Sequence, residues 1–351
     1  TLILNFSETI DVSPTTRVQL TLMSILQQNG SVMVPDLSGA GVDGNDRTLV
    51  TVHLTEAQRA SAHIYSGSTG GVGSALQIRV NASAVHDIAL NDLQTTTIVL
   101  TEFDDLVIPT VLNVSLNYGT GLLEIFMSEV IKSVSYVDLS KLFLENTVSS
   151  GDIVLSSIDT RKFVATERIT VSATASVTRS TTISIQLTER QRVTALYASA
   201  MAPNGDGGGI LFRGITDAIK DIGLNSIPIT QNLNVIELAD AVKPSIISSE
   251  IDFNTGRLIL YGSEFLDNSP STNLNLARVF MIDTNSGIDG DMSPLSLTGA
   301  TVEAGNNNTL ALVLTETQRV RCIQASGTPG GDGTALKLTV LEHAVSDLSN
   351  N

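Results

Sequence analysis

Apolar and polar residues alternate with a period of two along much of the chain. Leu2, Leu4 and Phe6 interleave with Ile3, Asn5 and Ser7. Val18, Leu20 and Leu22 interleave with Gln19, Thr21 and Met23, and Leu76, Ile78 and Val80 with Gln77, Arg79 and Asn81. A strand with one buried face has this period, because successive side chains point to opposite sides of the sheet. Gly, Asn, Asp and Pro break the runs where turns would lie. The pattern predicts an all-β chain of antiparallel strands packed as sandwiches.

The runs recur as a set. Leu54-Thr55-Glu56-Ala57-Gln58-Arg59 returns as Leu187-Thr188-Glu189-Arg190-Gln191-Arg192 and as Leu314-Thr315-Glu316-Thr317-Gln318-Arg319. Ser-Glu after an apolar run appears at Ser7-Glu8, Ser128-Glu129 and Ser263-Glu264. Glycine clusters begin at Gly70, Gly205 and Gly330, and Ala-x-x-Asp ends at Asp87, Asp221 and Asp347. Four markers in one order, three times, predict three copies of one module over 1–109, 110–244 and 245–351. Pro109 and Pro244 close the connections. Thr1 aligns just after the turn at Gly121 and Asn351 aligns with Asn91, so module one lacks its first strand and module three its last. Open edges expose backbone N–H and C=O groups, and Thr1, Leu2, Leu4, Phe6, Asp347 and Asn351 are the expected assembly residues.

Within the box, Thr55 is placed to cap a short helix and Gln58 to close a capping box. Leu54, Leu187 and Leu314 are expected at equivalent buried positions. Ile64, Leu196 and Ile323 are expected to anchor the helix, with Gly67 and Gly327 at left-handed positions after it. A ligand role for Glu56, Gln58 and Arg59 is the alternative; recurrence of the box in every module favours the structural role.

Composition narrows the function. The chain has 351 residues, with 20 Lys+Arg against 36 Asp+Glu and a formal net charge of −16. Such a field repels nucleic acid and anionic membranes. One cysteine, Cys322, rules out a disulfide within the chain, so apolar cores must hold it; at 42% hydrophobic they can. No apolar run reaches the ~18 residues of a spanning helix. Thr1-Leu2-Ile3-Leu4 lacks the basic start and small-residue cleavage site of a signal peptide.

No constellation for catalysis is visible, and neither enzyme activity nor a cofactor is expected. His53, His63, His86 and His343 do not recur between modules. Ser7, Ser128 and Ser263 lack a nucleophile elbow or a partner histidine. The glycine clusters lack the Lys-Ser/Thr ending of a phosphate loop and read as turns. Cys322 reads as a small buried hydrophobe. Glu8, Glu56, Asp87, Asp104 and Asp105 are the carboxylates that would gather if a junction held Ca²⁺, a hard cation that takes oxygen ligands. Asp43-Gly44-Asn45-Asp46 and the acidic stretch from Asp283 to Asp291 lack EF-hand spacing.

Three of these markers carry a resemblance: Phe6-Ser7-Glu8 with Phe126-Met127-Ser128-Glu129, the pairs Asp87/Asn91, Asp221/Asn225 and Asp347/Asn351, and an Asp before Pro in the linkers. The chain resembles the bacterial-type Ig-like repeats found in tandem in surface-layer proteins, adhesins and extracellular proteins of microbes and aquatic protists. Module three departs from the pattern with Tyr261-Gly262-Ser263-Glu264. The resemblance implies a structural or adhesive extracellular role. Together with the open edges it leads to the expectation of three Ig-like β-sandwiches in an extracellular filament or cell-surface stalk, a head-to-tail homopolymer without membrane insertion. The alternative is an adhesin binding glycans or another cell; aromatics at 4% leave few platforms for stacking sugars. Glycosylation sequons at Asn5, Asn29, Asn81, Asn113 and Asn307 fit an extracellular place, with Asn29 and Asn307 expected in loops.

Overall fold

A computed structural model describes residues 1–148, 152–154, 165–167, 180–203, 205–283 and 294–351. Of the acidic stretch at 283–291, all but Asp283 lies outside them. The fold is all-β, with several sheets and short helices between strands.

The elements fall into three consecutive groups. The first holds β1 (Leu2–Ile10), β2 (Met23–Leu26), β3 (Val32–Val34), β4 (Gly41–Val42), β5 (Arg47–His53), α1 (Glu56–Ile64), β6 (Gln77–Val80) and β7 (Thr96–Val99). The second holds β8 (Val111–Asn117), β9 (Leu122–Ile131), β10 (Leu142–Asn146), β11 (Asp152–Val154), β12 (Ala165–Glu167), β13 (Ser180–Gln186), α2 (Glu189–Tyr197), β14 (Ile210–Gly214) and β15 (Thr230–Leu238). The third holds β16 (Ile246–Asp252), β17 (Arg257–Leu266), β18 (Val279–Asp283), β19 (Leu295–Ser296), β20 (Thr301–Glu303), β21 (Asn307–Val313), α3 (Glu316–Gln324) and β22 (Leu336–Val340).

The first group makes two sheets, in orders β1-β5-β4 and β3-β2-β6-β7. The third makes β16-β17-β21-β20 and β19-β18-β22. In the second, β15 ties both layers into one eight-stranded sheet. Its first half runs antiparallel to β14 and its second half parallel to β8. Each group packs its own core. Met23, Ile25, Val52 and Ile78 lie in the first, Leu116, Ile125, Leu144 and Phe212 in the second, and Leu258, Met281, Leu310 and Leu312 in the third.

The three boxes fold alike. Thr55, Thr188 and Thr315 each accept the N–H of the Gln three residues on, and that Gln accepts the Thr N–H in return. A capping box satisfies two of the helix's orphan donors at once. Leu187 and Leu314 are buried, whereas Leu54 is half-buried against its core.

Other local expectations are corrected. The run from Val18 to Met23 is not a strand. It makes a 3₁₀ turn at Leu20–Leu22, after another at Thr15–Arg17, and the strand starts at Met23 with all four residues of β2 buried. The Gln19 N–H goes to the Ala84 carbonyl instead of a sheet partner. Leu196 lies in the second core as expected and corresponds to Ile323, but Ile64 is one position out of register with both. The core-facing residues in register are Ala62, Ala195 and Cys322, while Ile64 joins a separate cluster with Ala60, Val130 and Ile222. Burial pushes the Cys322 thiol up to about 11, so it behaves as an inert apolar filler. The left-handed glycines after the helices are Gly70 and Gly330, not Gly67 and Gly327. A Cβ on Gly71, Gly205 or Gly331 would sit 2.3, 1.8 or 1.9 Å from the carbonyl oxygen of Ser66, Ser199 or Ser326. Close backbone approach explains the glycine clusters.

Candidate functional site

The repeated markers meet where consecutive groups touch. At the first contact Glu56, in the first turn of α1, accepts the Arg59 guanidinium at 2.8 and 2.9 Å and the Val130 backbone N–H at 2.9 Å. Arg59 also pairs with Asp105 and lies 3.4 Å from Glu129. At the second contact Glu189 holds Arg192 at 2.7 and 2.6 Å and the Phe265 N–H at 2.8 Å. Arg192 reaches Asp240 at 2.7 Å, Glu264 at 3.0 Å and the Tyr118 carbonyl at 3.0 Å. Asn225 and Asn351 clamp Asp221 and Asp347 and donate to the carbonyls of Asp105 and Asp240, at 3.1 and 3.2 Å. The box arginine is thus the hub of each contact, with one carboxylate from its own helix, one from the connection and one from the next group.

Apolar groups seal the same places. Val130 and Ile222 pack on Ala60 and Ile64, and Leu348 and Phe265 pack on the second core. Gly70 admits no side chain, since its Cβ would lie 1.9 Å from the Ile222 carbonyl oxygen. Lys132 donates to the Gly70 carbonyl at 2.7 Å.

Each contact concentrates acid. Carboxylate oxygens of Asp105, Glu129 and Asp221 lie within 4.8 Å of one another, as do those of Asp240, Glu264 and Asp347. Burial, with Asp221 beside it, pushes Glu129 up to about 8 despite Arg59. Burial pushes Glu264 up to about 7 against the pull of Arg192. Glu129 Oε2 is buried with no hydrogen-bond partner. Around one guanidinium there are more carboxyls than it can neutralise, so one glutamate of each cluster is pushed toward its protonated form.

The five calcium candidates do not gather. Leu2 pairs with Val52, just ahead of α1, so Glu56 sits near one end of β1 and Glu8 near the other. Six residues of strand separate Leu2 from Glu8, a rise of about 20 Å. Asp87 lies at the Glu8 end, bridged to Ile10, while Asp104 and Asp105 lie at the Glu56 end, accepting from Thr69 and pairing with Arg59. The histidines stay apart. His53 faces Asp43 at 3.0 Å, His63 the Thr69 carbonyl at 2.7 Å and His86 Asp92 at 2.5 Å. The serine of the Ser-Glu marker has a backbone role: Ser128 and Ser263 accept the N–H of Thr110 and Ser245, the residues just after the prolines, at 2.9 and 3.0 Å.

The outer ends carry the same parts without partners. At one end Asn91 clamps Asp87 at 2.8 and 2.7 Å, which holds that carboxyl below the usual carboxylate range. Ile88, the counterpart of Ile222 and Leu348, is 55% exposed. At the other end Glu316 and Arg319 pair at 2.7 Å, and Val320, the counterpart of Ala60 and Val193, is 39% exposed.

The expected assembly residues divide. Leu2 and Leu4 are buried, Phe6 is half-buried and Thr1 exposed, and β1 is the edge of its sheet, with no strand among the described residues in the place β8 takes beside β9. Asp347 is buried and Asn351 half-buried against the second group rather than along an open edge. Strand β22 is an edge of its sheet as well. Between it and β16 lies a cavity of about 940 Å³, lined by Ile246, Leu338, Val340 and Val345 among others. Of the sequon asparagines, Asn29 is exposed in a turn and Asn5 exposed on the outer face of β1. Asn307 is exposed but opens strand β21 instead of lying in a loop, while Asn81 and Asn113 are half-buried.

Sequence reasoning quoted Arg59, Glu129 and Asp221 as repeat markers but missed their meeting. The usable signal was conjunction: the Ser-Glu, Ala-x-x-Asp and box markers are always present together. No family model matches the chain, and no curated protein matches it. Among solved structures it is similar to extracellular domains 3–5 of Drosophila OTK, at 9% identity over 85% of this chain and 78% of that one. The TM-score is 0.17, at which the likeness carries no argument. Among the described residues no helix is long and apolar enough to cross a membrane.

Proposed function

We propose that the chain is a structural subunit of an extracellular filament or cell-surface stalk. In this reading residues 1–109, 110–244 and 245–351 are Ig-like modules stacked head to tail, and copies continue the stack. The protein is not an enzyme and carries no cofactor; glycans are attached at exposed sequons such as Asn29.

One observation carries the reading. The contact made twice inside the chain is asymmetric, and its two halves recur exposed at opposite ends. Ile88, Glu8 and Asp87 form one half, and Val320, Glu316 and Arg319 the other. A heterologous contact of this kind does not close on itself unless its rotation forms a ring, so repetition gives a filament. The buried parts are apolar and charge-paired, as a lasting interface requires.

Electron microscopy of the purified chain tests it. Filaments with a repeat of one chain length are expected. Ile88→Asp and Val320→Asp, each exposed in the single chain, should abolish them while leaving the circular dichroism unchanged. A chain that stays monomeric at high concentration, or filaments indifferent to both substitutions, would overturn the reading.

A further inference from the structure

The two contacts between groups are built from the same residue types but are not equally satisfied. Each gathers four carboxyls about one guanidinium: Glu56, Asp105, Glu129 and Asp221 about Arg59, and Glu189, Asp240, Glu264 and Asp347 about Arg192. At the second contact the guanidinium reaches inward. Arg192 is buried, and its Nη2 donates to Glu264 Oε2 at 3.0 Å. At the first it stays back. The Arg59 side chain is 28% exposed, and its Nη2 lies 3.4 Å from Glu129 Oε1. The other oxygen of that carboxyl, Oε2, is buried without a donor, in a residue only 6% exposed.

Among the described residues the neighbouring donors are committed elsewhere. Lys132 donates to the Gly70 carbonyl at 2.7 Å and lies over the Tyr136 ring. His63 turns Nε2 to the Thr69 carbonyl at 2.7 Å, and its Nδ1 is 3.9 Å from Asp105. Asn225 holds Asp221 with its backbone N–H at 2.8 Å and its side-chain amide at 3.1 Å. That clamp fixes the carboxylate and uses one acceptor site on each oxygen, leaving the others free. A buried oxygen aimed among fixed carboxylates is costly unless a positive group meets it.

We propose that Asp105, Glu129 and Asp221 bind a divalent cation, Ca²⁺, at the contact between the first two groups. Their carboxylate oxygens already lie within 4.8 Å of one another. The donors are hard oxygens, with no thiol or imidazole among them, which suits Ca²⁺. Ca²⁺ accepts an irregular shell completed by water, whereas Mg²⁺ demands a near-ideal octahedron. Asp105 belongs to the connection, Glu129 to β9 and Asp221 to the stretch after β14, so the ion ties three segments together. The exposed side of Arg59 gives it a path from solvent. Of the five carboxylates expected to gather for calcium, Asp105 alone takes part. Without the ion Glu129 is pushed toward its protonated form, and binding displaces the proton. The ion is structural and performs no chemistry, and the site is independent of any assembly of copies. The second contact is the internal control, because Arg192 already meets Glu264.

Calorimetric titration of CaCl₂ into the full, chelator-treated chain tests the site. One ion per chain is expected, with a dissociation constant of about 10⁻⁴ M, as in extracellular modules. Millimolar Ca²⁺ should raise the melting temperature of the first two groups, and chelator should reverse it. Glu129→Gln should weaken binding by more than about tenfold, since even outer-shell changes at metal sites cost that much. Glu264→Gln should leave the affinity and the stoichiometry unchanged. Tb³⁺ gives a readout that needs no substitution at the site. Tyr65 packs on the cluster that holds Val130, next to Glu129, so Tyr65→Phe should lower tyrosine-sensitised Tb³⁺ emission without changing affinity. The absence of saturable Ca²⁺ binding would overturn the proposal, as would binding indifferent to Glu129→Gln or an ion lost with Glu264→Gln. Mg²⁺ binding as tightly as Ca²⁺ would overturn the choice of ion. If Glu129→Gln does not fold, the Tb³⁺ pair decides, and emission unchanged in Tyr65→Phe overturns the proposal.

Discussion

Glu129 joins two effects of opposite sign. Burial and the neighbouring Asp221 favour its neutral form, and Arg59 favours its charged form; the first two win and lift it to about 8. Because the folded value lies above the unfolded one for an acid, the native state binds the extra proton between about pH 4.5 and 8. Stability therefore falls as pH rises through that window, on the order of 2 kcal/mol given 1.36 kcal/mol per pKa unit and coupling to Asp221. Denaturant titrations at pH 5.5 and 8.5 should show the loss in the wild type, and Glu129→Gln should flatten it. An unchanged slope in the variant would refute the assignment. The sequence displayed Glu129 only as half of a recurring dipeptide. Its perturbation depends on Asp105 and Asp221, carboxylates 24 and 92 positions away that only the folded chain brings close.

At the scale of elements, local chemistry was the legible part. Thr-x-x-Gln before an apolar-spaced run predicts a capped helix from backbone hydrogen bonding alone, and all three helices start there. Thr188→Ala should remove one cap and destabilise the second group by about 1 kcal/mol in equilibrium denaturation. Thr188→Ser, which keeps the oxygen, should restore most of it. The 3₁₀ turns at Leu20–Leu22 were illegible for a physical reason. Alternation reports which side chains are buried, and a turn seated between two layers buries Val18 as a strand would. The helix anchor of the first group was misread for a related reason. Ile64 is apolar because it faces the second group, not its own core, and a single sequence does not separate those two burials.

Across the whole molecule, three cores are joined by contacts centred on a guanidinium shared among carboxylates. Asp240 has a side chain with 0% exposure and takes its charge from Arg192. Arg192→Ala would strand that buried carboxylate along with Glu264, at a cost of about 3–5 kcal/mol. Calorimetry should then resolve the third group's transition from the second's, where the wild type melts them together. Arg192→Lys should rescue little, because an ammonium cannot span Glu189, Asp240 and Glu264 at once.

The Glu–Arg pair that opens each short helix has a further consequence. The first two helices each extend this acceptor to the amide of the following group, never the preceding one, so the chain has a direction like that of an arrow. Turning one copy end over end would set Glu8 and Asp87 against their own images, four carboxylates facing with no guanidinium between them. Opposite orientation is thereby disfavoured by charge as well as by shape, and an array of such chains would have two chemically different tips. One tip would present an arginine and the other a pair of acids, and growth and capping at the two would answer to different solution conditions.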